Sequence, residues 1–210
     1  MGKENIFLMI VVASVMVVAS SALALPLGPG ETQQEWTFDD DDNPAIPEVD
    51  LNPYGTATAT IGSSTEPPTA VEWVAELAGR EGVWTAEQGP EIVLEVPNQM
   101  KPNPSKEIVI EIGFLGELTG FAVYPVPFGG LVELTGQVVE VVEPATGWKK
   151  LTGSFHLEPN PDREYIVYHF GIGGAVDYIN LYTVCVPEPA TLSLLGLGGL
   201  MLARRRRTAR

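Results

Sequence analysis

Cysteine is almost absent from this chain: Cys185 is the only one in 210 residues, so no internal disulfide can staple the fold and the core must hold it alone. Basic residues are scarce as well, with 12 Lys and Arg against 27 Asp and Glu and a formal net charge of −15. Between Leu25 and Val186 the imbalance is sharper, 25 acidic against 6 basic for a net of −19, because five of the arginines lie near the C-terminus. A surface this acidic repels phosphates and argues against nucleic acid as a partner, while it favours solubility and divalent cations. Signatures of catalysis are missing too. There is no Gly-x-Ser-x-Gly elbow, no His-Glu-x-x-His helix and no Gly-x-x-x-x-Gly-Lys phosphate loop, and no histidine base lies near Cys185 in the sequence. Carboxylates are plentiful, which leaves a paired-carboxylate hydrolase open, but nothing singles out a pair. The expectation is a protein that is not an enzyme.

No apolar run reaches the ~20 residues of a full membrane span, yet two shorter ones frame the chain. Near the start, Lys3 supplies a positive n-region, Ile6 to Ala19 an apolar stretch, and Ala22-Leu23-Ala24 a small-x-small cleavage pattern. Residues 1–24 read as a signal peptide with the mature chain starting at Leu25; a retained anchor is the alternative. Near the end, Ala190 to Ala203 is uncharged. As a helix it is about 21 Å long at ~1.5 Å per residue, short against a hydrocarbon core of ~30 Å, so flanking residues must help it span. Pro187 and Pro189 forbid regular helix just upstream, and Arg204, Arg205, Arg206 and Arg207 hold the far end on the cytoplasmic side.

Pro187-Glu188-Pro189, an apolar helix and an arginine cluster, in that order, resemble the PEP-CTERM sorting signal of Gram-negative bacteria, whose members also carry a cleavable signal peptide. The resemblance covers residues 185–210. It implies processing by signal peptidase and by an exosortase, which removes the tail near the Pro-Glu-Pro. The chain would be anchored transiently in the inner membrane by the helix at 190–203 and then delivered to the cell surface or extracellular matrix. A permanent tail anchor is the plainer reading of the same residues. The resemblance says nothing about the body.

That body, residues 25–184, suits one domain. Period-two alternation dominates it: Ile92, Leu94 and Val96 against Glu91, Val93 and Glu95; Ile108, Ile110 and Ile112 against Glu107, Val109 and Glu111; Val132 and Leu134 against Glu133 and Thr135. Further strands are expected at Glu35 to Phe38, Thr56 to Ile61, Gly120 to Tyr124, Trp148 to Leu157, Glu164 to Phe170 and Ala175 to Val184. Turn clusters at Pro97-Asn98, Lys101 to Pro104 and Glu143 to Gly147 separate them. Only Ala70 to Ala78 hints at helix. Eight or nine short strands predict an all-β chain, a β-sandwich of jelly-roll type. The turn signal Glu158 to Asp162 predicts a hairpin with Phe155 opposite Ile166, Gly153 opposite Tyr168 and Leu151 opposite Phe170. That register puts His156 and His169 on the other face, four residues apart along the ladder and too far apart to share a zinc ion.

Two kinds of ligand follow from the residues. Asp39, Asp41 and Asn43 have the alternate oxygens with which a calcium loop begins, and Asp50 stands where such a loop would close; Pro44, in place of glycine, and the lack of flanking helices reject an EF-hand. A looser calcium site remains. The strand from Ala175 to Val184 resembles the last strand of galactose-binding-like and other carbohydrate-binding jelly rolls, and that resemblance implies Asp177 as a calcium partner for the acidic loop. It also implies a sugar held on an aromatic face, with Trp73, Trp84, Tyr124, Trp148, Tyr165 and Tyr178 as candidates; Trp84 and Tyr165 are the favoured pair. Cys185, just before the Pro-Glu-Pro, is placed for an intermolecular disulfide or a modification. The expected function is a non-catalytic surface or matrix protein, associated with biofilm and exopolysaccharide. The alternative is a lectin-like module, with or without calcium.

Overall fold

Among the described residues, the alternation of aliphatic and acidic residues folds into twelve strands in two antiparallel sheets. The computed structural model describes residues 27–28, 30–63, 70–99, 105–127 and 129–186. The strands are β1 (Glu31–Trp36), β2 (Val49–Asp50), β3 (Thr58–Ser63), β4 (Val71–Leu77), β5 (Arg80–Ala86), β6 (Pro90–Pro97), β7 (Ser105–Leu115), β8 (Leu118–Val126), β9 (Leu131–Glu143), β10 (Trp148–Glu158), β11 (Arg163–Phe170) and β12 (Ala175–Val186). There is no helix among the described residues, and so none long and apolar enough to cross a membrane. The leader, the Pro-Glu-Pro, the apolar run and the arginine cluster all lie outside the described residues.

An eight-stranded sheet has the order β2-β1-β12-β7-β10-β9, with β5 beside β12 and β4 beside β5; a four-stranded sheet has the order β3-β6-β11-β8. Between them lies one core. Ile108, Ile110, Ile112, Leu151, Phe155, Ile179 and Leu181 from the wider sheet meet Ile92, Leu94, Val96, Ile166, Tyr168 and Ala59 from the narrower one. Each fully buried aliphatic side chain there contributes roughly 1.5–3 kcal/mol relative to exposure. The fold is thus an all-β sandwich, and eight of the nine expected strands are present where expected. The ninth, Glu35 to Phe38, is shifted, because β1 runs from Glu31 and ends at Trp36, with Phe38 already in the loop at φ 56°.

Two expectations need correction. Ala70 to Ala78 is not a helix but β4, the first arm of a hairpin in which Trp73 pairs with Trp84 and Val74 with Val83. Helix propensity is a weak preference, and here Val71 and Trp73 gain more by packing onto the core. The two-residue turn has Ala78 at φ 49° and Gly79 at φ 81°, the left-handed pair of a tight hairpin. An alanine rarely takes that conformation, so only Gly79 marked the turn.

The second correction concerns β10 and β11, which do not pair. Phe155 lies between Ile108 and Leu134, and Ile166 between Leu94 and Val123. Pro159 and Pro161 lack the N–H groups with which a hairpin loop would close, and the segment arches from one sheet to the other. The faces themselves are as expected: Leu151, Phe155, Ile166, Tyr168 and Phe170 are buried, but they meet across the core rather than along a ladder. His156 and His169 therefore lie on opposite outer faces of the sandwich.

Candidate functional site

At the end of the sandwich where the chain leaves for its tail, β12 is held on both sides. Val186 pairs with Ser105, Cys185 with Lys106, and the Cys185 N–H donates to the Gly30 carbonyl at 2.9 Å. The Cys185 side chain is 2% exposed, so its sulfur is not offered to a second chain, contrary to the expected intermolecular disulfide. Beside it lies a polar cluster that strand reading missed. Lys106 and Glu164 are fully buried, with Nζ 2.5 Å from Oε1. Asn98 is buried as well, and its Nδ2 donates to Asn160 Oδ1 at 2.7 Å, to the Pro161 carbonyl at 2.9 Å and to Glu164 Oε2 at 3.4 Å. Burial pushes the Glu164 carboxyl up against the opposing pull of Lys106. The signal was parity: Lys106 shares the inward phase of Ile108, Ile110 and Ile112, and Glu164 that of Ile166 and Tyr168.

The acidic loop after β1 satisfies its own backbone. Glu48 accepts the Thr37 N–H at 2.8 Å and the Asp39 N–H at 3.3 Å, Asp39 accepts the Thr37 hydroxyl at 2.8 Å, and Asp40 accepts the Asp42 N–H at 3.1 Å. Asn43 clamps β3, donating to the Ile61 carbonyl at 2.7 Å and accepting the Ile61 N–H at 3.0 Å. Its amide oxygen is therefore committed. Asp177 faces Arg80 at 3.4 Å instead of the loop. Its carboxyl is raised by burial, with Arg80 opposing and Glu143 adding to the rise. So Asp39, Asp41, Asn43 and Asp177 do not assemble one calcium site, and among the described residues no three His, Cys, Asp or Glu side chains converge for a metal.

The β4–β5 hairpin leans against this loop. Trp73 Nε1 donates to the Phe38 carbonyl at 2.8 Å, and Gly82, at φ 66°, passes so close that a Cβ would stand 2.4 Å from the same oxygen. Between them opens a cleft of about 460 Å³ lined by Asp39, Trp73, Ala75, Glu76, Glu81 and Gly82.

The aromatic candidates separate by burial. Trp84, 4% exposed, is part of the core, and a ring there has no face to give a ligand; Trp148 is buried as well. Tyr165 is half-buried on the outer face of the four-stranded sheet. It lies in register between Glu95 on β6 and Tyr124 on β8, and Tyr124 is 45% exposed. Arg163, one step along the same face, bonds Glu95 at 2.6 Å.

The remaining feature is an edge. β9 closes one side of the wider sheet, and Leu131, Leu134, Val138, Val139, Val141 and Val142 on it are 43–58% exposed. Leu134 and Val139 stand opposite the core residues Phe155 and Leu151, so the inner face of the sheet runs on past its narrower partner, uncovered.

Residues 186–207 match the family description of the PEP-CTERM protein-sorting motif. The tail is a PEP-CTERM sorting signal. The chain is accordingly an exported protein, sorted by an exosortase and held in the membrane by its C-terminal tail before processing. Val186 is both the last residue of β12 and the first of the motif, so the PEP-CTERM signal follows the folded body without a linker. No curated protein matches the chain. The motif spans 22 of 210 residues and gives the body its address, not its activity.

Proposed function

We propose that the protein is a non-catalytic structural component of the cell surface or extracellular matrix, with a signal peptide at residues 1–24, whose copies associate laterally after release from the membrane. The β9 edge carries this reading. Natural edge strands are blunted by charge, especially lysine, by proline, by bulges or by brevity. β9 has 13 residues with neither Lys nor Pro, and although it carries three glutamates and two register shifts against β10 it leaves six aliphatic side chains exposed. Antiparallel pairing of β9 with the same strand of a second copy would complete its backbone bonds and cover that surface. The acidic bodies repel one another, so association strengthens as salt or divalent cations screen them. Sedimentation of residues 25–186 across protein concentration, at low and moderate salt, tests this: a monomer at every concentration in both would sink it. Release of sugar from host polysaccharide would sink the non-catalytic part.

A second reading rests on the neighbouring Tyr124 and Tyr165 with Arg163 and Glu95: a lectin-like face for exopolysaccharide. Strands β5 to β9 alternate between the sheets, as do β10 to β12, with the β9–β10 hairpin within the wider sheet between them; this largely crossing connectivity supports the jelly-roll type in which such faces occur. A pull-down on the host's polysaccharide decides it. Retention lost in Tyr165→Ala supports the face, and equal retention with calcium and with chelator would remove calcium from the account.

A further inference from the structure

The buried cluster at the tail end of the sandwich has an arrangement that a stabilising ion pair does not require. A lysine and a glutamate taken wholly out of water are often no better than apolar residues of the same size. Here the Glu164 carboxyl also bridges two groups that can react with each other: Oε1 is 2.5 Å from Lys106 Nζ and Oε2 is 3.4 Å from the amide nitrogen of Asn98. The Asn98 side-chain carbonyl is polarised from its other side. It accepts the Gln99 N–H at 2.9 Å and the Cys185 S–H at 3.5 Å. Its amide nitrogen is surrounded by acceptors, Asn160 Oδ1 and the Pro161 carbonyl besides Glu164.

We infer that Lys106 and Asn98 form an intramolecular isopeptide bond, with Glu164 carrying the protons. Glu164 takes a proton from Nζ and frees its lone pair, a direction that burial of the carboxylate favours. Nζ attacks Asn98 Cγ, and the negative charge that builds on Oδ1 meets the Gln99 and Cys185 donors. Glu164 then delivers a proton to Nδ2, the Cγ–Nδ2 bond breaks and ammonia leaves. Of the three protons of the starting ammonium, one stays on the new amide nitrogen and one departs in ammonia. The third remains on Glu164 or leaves with ammonia as ammonium. An amide is exchanged for an amide, so neither oxidant nor cofactor is needed, and the event occurs once per chain without turnover. The acyl group, the nucleophile and the proton carrier are held together by the fold, which is what such a reaction between weak partners requires.

The bond would tie the end of β6 in the narrower sheet to β7 in the wider one. It would do so beside β12, through which the tethered chain is held, and in a protein whose single cysteine excludes an internal disulfide.

Peptide mapping of the purified, exported protein tests this. Trypsin does not cut at Lys101-Pro102, and a modified Lys106 blocks the next cut, so residues 81–149 should appear as one peptide lighter by the mass of one ammonia. Fragment ions between Asn98 and Lys106 should be missing. In Glu164→Gln the mass deficit should vanish and cleavage after Lys106 return, while circular dichroism still reports the sheet. Complete cleavage after Lys106 in the wild-type protein, with the Asn98 amide intact, would overturn the inference whatever the variant does. A bond located at Asn160 would overturn the assignment to Asn98.

Discussion

Arg80 meets three partners at once: an ion pair with Glu143, another with Asp177 at 3.4 Å, and the Trp148 ring 5.9 Å below its guanidinium. Without it, the Asp177 carboxylate would be left partly buried beside Glu143. Arg80→Met should cost about 1–3 kcal/mol, the desolvation penalty of an unpaired polar group, seen as a lower urea midpoint. Adding Asp177→Asn should recover much of the loss, because the two residues share one interaction. Equal stability of Arg80→Met and the wild type would refute the pairing. His156 carries a prediction in pH. The bond of its Nδ1 to Glu107, at 2.6 Å, is the main cause that raises its pKa. A raised histidine binds its proton more tightly when folded, so its contribution is complete below the unfolded value of ~6.5 and is lost as pH rises through the folded value. His156→Gln should therefore flatten that part of the decline in stability between about pH 6.5 and 8, followed by denaturant titration at each pH. An unchanged slope would show that Glu107 gives nothing.

At the scale of elements, the strands were legible because a half-buried strand writes its two faces into alternate residues, as β6 and β7 do with Ile or Leu against Glu. Their partners were not legible, because alternation is a property of one strand and pairing a property of two. β10 and β11 show the difference: the faces follow from their own residues, whereas the sheet each joins was decided by distant strands, β7 and β9 for one and β6 and β8 for the other. β9 gives the clearest warning. Val132 and Leu134 read as one inward row, yet Leu134 is exposed because nothing in the narrower sheet reaches over it. If that edge is where copies meet, Val139→Lys with Val141→Lys should keep the protein monomeric at concentrations and salt where the wild type associates, with little change in unfolding midpoint. Association that survives the double substitution would place the contact elsewhere.

For the molecule as a whole, address and activity were unequally legible. The PEP-CTERM signal is linear, three parts in order over 22 residues, and needs no fold to be recognised. A surface site is assembled from strands far apart in sequence: Tyr165 and Tyr124 share a face only through β11 and β8, and Asp177 turns to Arg80 rather than to the acidic loop. The boundary between signal and body is sharp, and it can be tested. β12 pairs with β1 through Val184 and with β7 through Val186, with Thr183 and Cys185 buried. A chain ending at Val186 should unfold at the temperature of the full-length body and leave the membrane fraction, since the exosortase signal is gone. Removing Thr183 to Val186 as well strips the end of β12 from both neighbours and should cost on the order of a few kcal/mol in lost burial and hydrogen bonds. Were the two truncations equally stable, the end of β12 would be an extension of the tail rather than part of the sandwich. Were the longer one to stay in the membrane fraction, the PEP-CTERM segment would not be what holds the protein there.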